Sequence, residues 1–317
     1  MNHKLIIIDG QSTAGKSTIS KSVSEQLSLL DNVYWLHEEC FEHPIRHDEF
    51  KAGCIHTLEG MEINKKVMLD KWSAFYDDIV LKNQVCITEG CFLHSIDRYL
   101  LDSIWNEQQI KDYFDQIMEI LTPLHPLIIF LKRSDIEKSF KRAFKDRGDW
   151  WRDLILSIPE PYGYFETHDY TGDESIFDSI RYSQDQMEKI FDDLLCTKLK
   201  IDTSNDLWDS YVKQITEYAG YHYLKTDKTV ADIEKYCGTY KLLDGSNRWV
   251  ISYDHEKKQF YTSLFWPYMA MTYTGEDCLE LSSFPAKLKF ELINEKLCFT
   301  VHGNYDWNYN NKMFVKL

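Results

Sequence analysis

Leu5-Ile6-Ile7-Ile8-Asp9-Gly10-Gln11-Ser12-Thr13-Ala14-Gly15-Lys16-Ser17-Thr18 is the stretch on which the fold turns. Its first residues form a continuous apolar run, the pattern of a parallel strand buried on both faces. A loop over residues 10–16 follows, and from Ser17 onward Ile19, Val23, Leu27 and Leu30 recur at helical spacing. Gly10, Gly15, Lys16 and Ser17 fill every fixed place of G-x-x-x-x-G-K-[ST]. The glycines let backbone N–H groups close round a phosphate, and the helix N-terminus adds its positive end. Lys16 is placed to reach β- and γ-phosphates, and the Ser17 hydroxyl to hold Mg²⁺. Ser12, Thr13, Ala14 and Thr18 complete the expected phosphate-binding set.

Beyond this loop the chain alternates strands and helices. Residues 32–37 read as a second strand that ends in Glu38-Glu39-Cys40-Phe41. A helix over 60–82 presents Met68, Trp72, Phe75, Tyr76 and Ile79 on one face, and 84–88 is a third strand, followed at once by Glu89-Gly90. The aromatic and Met stripe of that helix reads as core. A helix over 107–121 stops before Pro123, and 127–131 is the most apolar strand. Ser134 or Asp135 caps a basic helix ending near Gly148. A Pro-, Tyr- and Gly-rich loop spans 159–172, then come a helix over 175–195, a strand over 198–201 and a helix carrying Leu207, Tyr211, Ile215 and Tyr218. This alternation predicts right-handed crossovers and a parallel sheet with helices on both faces, a three-layer α/β domain over 1–224. Ligands of such sheets lie beyond the carboxyl ends of the strands. The rule sends the 10–17 loop, Glu38/Glu39, Glu89, Lys132/Arg133 and residues 202–205 toward one crevice.

From about Lys225 the texture changes to short β-type runs at 240–243, 249–253, 259–262, 279–281, 289–292 and 297–301. Turn signals such as Asp244-Gly245 and Asn294-Glu295 separate them, which predicts a small antiparallel β domain over 225–317, a barrel or a curved sheet. Its aromatics between Trp249 and Tyr268 read as core and dimer contact in preference to a cleft lining.

Composition narrows the function. Hydrophobic residues make up 44% and charged ones 27%, as in a globular protein. Lys+Arg 36 against Asp+Glu 51 gives a net charge of −15, which repels a long polyanion, so no nucleic acid is expected as partner. No export signal or bilayer-length apolar stretch stands out, and the eight cysteines lack a disulfide rhythm, so a cytoplasmic protein with no membrane partner is expected. The spacing of His37, Cys40, His43 and His47 matches no closed zinc site.

A phosphate loop needs a receiver for the phosphate. Transfer to an acceptor calls for a carboxylate to activate it, a magnesium site and cations to spread charge. Glu39, with Glu38 as the alternative, is expected as the base, and Glu89 as the acid behind Mg²⁺ together with Ser17. Arg142 and Arg147 span a helix end and the turn after it, which suits a lid whose arginines reach a triphosphate. Arg98 is a further candidate for substrate, equal to a surface pair with Asp97.

Residues 1 to about 220 resemble the P-loop kinases of the nucleoside and nucleotide kinase group, with thymidylate kinase and deoxynucleoside kinases as general relatives. Chloramphenicol phosphotransferase is similar in layout. The resemblance rests on the 10–17 loop, the acids after the second and third strands, Arg142 with Arg147-Gly148, and Ile201-Asp202-Thr203-Ser204. It implies that Arg142 and Arg147 are lid arginines and that Thr203 and Ser204 line the adenine. The chain departs from the group where an Asp-Arg or Glu-Arg pair gives way to Glu89-Gly90, and where the Glu-Pro of deoxynucleoside kinases gives way to Glu39-Cys40. The C-terminal part is faintly similar to lipocalin-like sheets. The expectation is an ATP- and Mg²⁺-dependent phosphotransferase acting on a hydroxyl or phosphate of a small molecule: a nucleoside, nucleotide, sugar-like metabolite or antibiotic. A homodimer is compatible with it. The competing reading is a P-loop NTPase switch that hydrolyses ATP or GTP and binds a protein partner.

Overall fold

The computed structural model describes residues 3–46, 54–96, 100–225, 232–305 and 309–317. They group into two compact units, one of residues 1–38, 43–141 and 154–223, the other of 39–42, 142–153 and 224–317.

The first unit holds five strands: β1 (Leu5–Gly10), β2 (Val33–Leu36), β3 (Val85–Glu89), β4 (Leu127–Lys132) and β5 (Thr197–Asp202). They pair in parallel in the order β2-β3-β1-β4-β5, so β1, which feeds the phosphate loop, is central. The helices in chain order are α1 (Lys16–Leu27), α2 (Leu58–Lys82), α3 (Glu107–Leu121), α4 (Ile136–Arg147), α5 (Asp149–Ile155), α6 (Tyr164–Thr167), α7 (Asp173–Asp193) and α8 (Trp208–Tyr218); α4 beyond Lys141 and α5 up to Asp153 group with the second unit. Their ends obey local chemistry. The Thr57 side chain accepts from the Gly60 N–H at the start of α2, and Asn106 with Gln109 forms a capping box on α3.

Both faces of the sheet are covered. Ile6, Ile8, Ile87, Ile129, Leu131 and Ile201 share one cluster with Ile19, Val23 and Leu27 of α1 and with Val212 and Ile215 of α8. On the opposite face Phe130 stacks on Phe191 of α7 with ring centroids 5.4 Å apart. Trp72 of α2, Phe92 and Phe114 of α3 form a run of edge-to-face rings. The architecture is a five-stranded parallel sheet between helical layers. Of the apolar residues read into these helices, Leu30 falls beyond the end of α1 and is exposed, as are Leu207 and Tyr218.

The second unit is built on a closed antiparallel barrel. Its strands are β6 (Gly238–Leu242), β7 (Arg248–Asp254), β8 (Gln259–Thr262), β9 (Met269–Gly275), β10 (Cys278–Leu281), β11 (Ala286–Ile293), β12 (Lys296–Gly303) and β13 (Met313–Lys316), with the short helix α9 (Ile233–Tyr236) before them. Each strand pairs with the next, and β13 closes on β6. The β11–β12 turn places Asn294 and Glu295 both at positive φ, the two-residue hairpin geometry whose twist matches the strands. β11 alternates buried Ala286, Leu288 and Phe290 with exposed neighbours, the period-two pattern of a filled barrel. Inside, Phe299 meets Tyr240, Phe290 and Phe314 at centroid distances of 4.9, 5.4 and 4.7 Å. Trp249 and Phe260 are core residues of this barrel, and Phe265 and Trp266 pack against that core.

Phe299 is fully buried, so Phe299→Ala removes a ring from a packed interior. We expect a loss of about 3–5 kcal/mol of barrel stability in chemical denaturation. A loss below about 1 kcal/mol would mean that the interior collapses to fill the gap.

Candidate active site

The site is built where β1 turns into α1. Gly15 caps α1 at φ 90° and brings no side-chain cap, which leaves the amides of the first turn open to an anion. A Cβ at Gly15 would sit 2.5 Å from the Trp208 ring, so a larger residue would push the loop off α8. Thr13 Oγ1 lies 2.8 Å from Ser139 Oγ, which ties the loop to α4. Gln11 accepts the Ser12 N–H at 2.6 Å and reaches α7 at Ile180 and Ser183. The Lys16 ammonium is buried and donates to the Gln11 carbonyl at 3.4 Å.

Three carboxylates gather round that ammonium. Asp9 is wholly buried and accepts N–H bonds from Gly10, Phe92 and His94 at 2.7, 2.9 and 3.1 Å. It thereby fixes the segment after β3 against the start of the phosphate loop. Burial pushes the Asp9 carboxyl up to about 6, against the opposing pull of Lys16 and the three amides. Glu89 is also fully buried, and burial, reinforced by Glu38, holds its carboxyl well above the usual range. Its Oε1 accepts from Ser17 Oγ at 3.2 Å and from the Glu38 N–H at 3.4 Å, and lies 3.4 Å from His37 Nε2. Its Oε2 is buried and has no hydrogen-bond partner among the described residues.

Glu38 is half-buried and Glu39 exposed. A Cβ on residue 90 would lie 2.3 Å from Glu38 Oε2 and 3.3 Å from Lys16 Cε. Gly90, at φ 73°, therefore makes room for the Glu38 carboxylate beside Lys16. The structure brings Glu38 to the loop together with Lys16, Ser17 and Glu89, whereas Glu39 groups with the second unit.

Arg142 and Arg147 also belong to the second unit, although they fall within the expected 1–224 domain. The local reason is aromatic. The Arg147 guanidinium sits 4.5 Å from the Trp151 ring centroid and 5.7 Å from that of Trp266, and Trp150 stacks on Trp266 at 5.1 Å. Thr203 is buried, with its hydroxyl donating to the carbonyls of Ala14 and Lys132 at 3.0 and 3.2 Å. It joins β5 to the phosphate loop. The Ser204 hydroxyl donates to Asp202 at 2.5 Å and accepts the Ser134 N–H. Arg98 and His47 lie outside the described residues. His43 pairs with Cys91, its Nε2 3.5 Å from the sulfur.

Two participants escaped sequence reasoning. Asp9 and His37 are polar residues at the ends of apolar strands, a position that was itself a signal. Arg133, buried against Asp135 and Asp206, clamps the turn after β4 to the one after β5.

Among the described residues no group of three or more His, Cys, Asp or Glu side chains is arranged to hold a metal. Magnesium in a nucleotide site asks for less, because phosphates and water fill most of its shell. The unpartnered Oε2 of Glu89 and the hydroxyl of Ser17, which gives its hydrogen to Oε1 and keeps its lone pairs, fit that demand.

No family model and no curated protein sequence matches this chain. Among solved structures it is similar to a YorR protein from Bacillus subtilis in complex with phosphorylated GDP, at 14% identity and a TM-score of 0.39, with 68% of this chain and 95% of that one covered. It is also similar to deoxyadenosine kinase from M. mycoides with bound dATP, at 17% identity and a TM-score of 0.39, with 67% and 98% covered.

The raised Asp9 carboxyl has a measurable consequence. A carboxyl that binds its proton more tightly folded than unfolded makes stability fall as pH rises between its two values, here from 3.8 to about 6. Unfolding free energy should drop by about 3 kcal/mol across that window relative to Asp9→Asn, which lacks the titration. Parallel curves for the two proteins would show that Asp9 is not buried as a charge.

Proposed function

We propose that the chain is a P-loop kinase that transfers the γ-phosphate of ATP to a hydroxyl or phosphate of a small molecule. The observation that carries this reading is the convergence of Lys16, Ser17, Glu89 and Glu38 at the carboxyl ends of β1, β2 and β3. A site built only to hold a nucleotide has no use for a second acid beside the phosphate lysine.

In this reading the loop amides and Lys16 hold the β- and γ-phosphates. Ser17 and Glu89 hold Mg²⁺, which when bound neutralises charge on the phosphates. Glu38 is the base: it is the partly exposed carboxylate of the cluster, free to meet an acceptor while Glu89 stays buried. It takes the proton from the acceptor hydroxyl as the oxygen attacks phosphorus, and ADP leaves. Glu89-Gly90 stands where the nucleoside kinases carry an Asp-Arg or Glu-Arg pair, and this favours acceptors other than a nucleoside.

The test is ADP release from ATP in the presence of nucleosides, nucleotides, sugars and antibiotics in turn. One acceptor should raise release sharply. Lys16→Ala should abolish it, and Glu38→Gln should lower kcat by about 10²- to 10⁴-fold, while Glu39→Gln stays within a few-fold. Hydrolysis that ignores every acceptor but responds to a protein would replace the kinase with a switch. Full turnover in Glu38→Gln would remove Glu38 as the base.

A further inference from the structure

Glu89 is held lopsidedly. Ser17, the Glu38 amide and His37 all converge on Oε1, while Oε2, equally buried, receives nothing among the described residues. Two of those donors come with the motif and the backbone. His37 is different: it is a side chain at the end of β2, 3% exposed, whose ring meets Trp35 edge-on at 5.4 Å. Trp35 in turn donates its indole N–H to Ser20 of α1 at 3.0 Å. A chain of contacts therefore runs from the helix of the phosphate loop, through Trp35 and His37, to one oxygen of Glu89.

We infer that His37 is a positioning residue for the metal acid: its Nε2–H occupies Oε1 so that Oε2 is the oxygen presented to Mg²⁺ or its water. The carboxylate of Glu89 can otherwise rotate about its last bond and exchange its two oxygens. A donor outside the metal's own shell removes that freedom, as groups behind metal ligands do elsewhere. The inference rests on the proposed Mg²⁺·ATP site and on Glu89 as its acid, but not on phosphate transfer.

The test is Mn²⁺ binding to the full chain with ATP present, read by electron paramagnetic resonance. His37→Leu should weaken Mn²⁺ about 10-fold or more, the scale set by such outer groups. Metal-free ATP binding, measured in EDTA, should stay unchanged because Lys16 and the loop are untouched. His37→Gln, whose amide N–H can reach the same oxygen, should recover most of the loss. Wild-type Mn²⁺ affinity in His37→Leu overturns the inference. So does a His37→Gln as weak as His37→Leu, or a His37→Leu that loses metal-free ATP equally, since either marks a role in packing alone. A wild-type chain that binds Mn²⁺·ATP with this His37 dependence, yet phosphorylates nothing, would end the kinase reading and leave the role of His37 standing.

Discussion

Burying charge beside charge is the constraint on which the first unit depends. Asp9 and Glu89 lie out of water at the ends of neighbouring strands, with one buried ammonium, Lys16, between them and the half-buried Glu38. An uncompensated carboxylate there would be costly, so Asp9 is tied down through both oxygens and Glu89 through Oε1. Asp9 has three amides, and Glu89 has a hydroxyl, an amide and an imidazole. The excess of negative charge also gives the site its chemical bias. It is a place that gains from the arrival of a cation, which suits a nucleotide that travels with its metal.

What the sequence revealed and what it hid follow from the range of the forces involved. The strand, loop and helix of residues 5–27 were legible because periodicity and the spacing of Gly10, Gly15, Lys16 and Ser17 are local facts. Glu89 could be found from the rule that ligands gather beyond strand ends. The sequence favoured Glu39 over Glu38, but which of the two lies beside Lys16 depends on how the chain leaves β2 and on the space left by Gly90, some fifty residues away. Asp9 was overlooked for the same reason: its partners Phe92 and His94 lie 83 and 85 residues on. In the barrel, β9 and β13 went unread. Met269-Ala270-Met271 has weak β-propensity, and Met313–Lys316 is only 4 residues long, so pairing with neighbours makes both strands.

The two units solve the edge problem of β-structure in different ways. The barrel closes on itself through β13 and β6, so no row of its amides is left open. Its interior is filled with aromatic side chains, and Tyr236 of α9 joins them, donating its hydroxyl to Asp277 at 2.6 Å. The parallel sheet stays open, with β2 and β5 at its margins, and keeps its most apolar strands, β1 and β4, inside.

Gly90 gives positions 38 and 90 a shared history. While residue 38 carries a long acid turned to Lys16, a Cβ at 90 would displace the Glu38 carboxylate, and the φ of 73° favours glycine at 90 whatever stands at 38. Among descendants of this chain, a side chain gained at 90 should go with the loss of glutamate at 38, whereas loss of that glutamate should leave glycine at 90 in place.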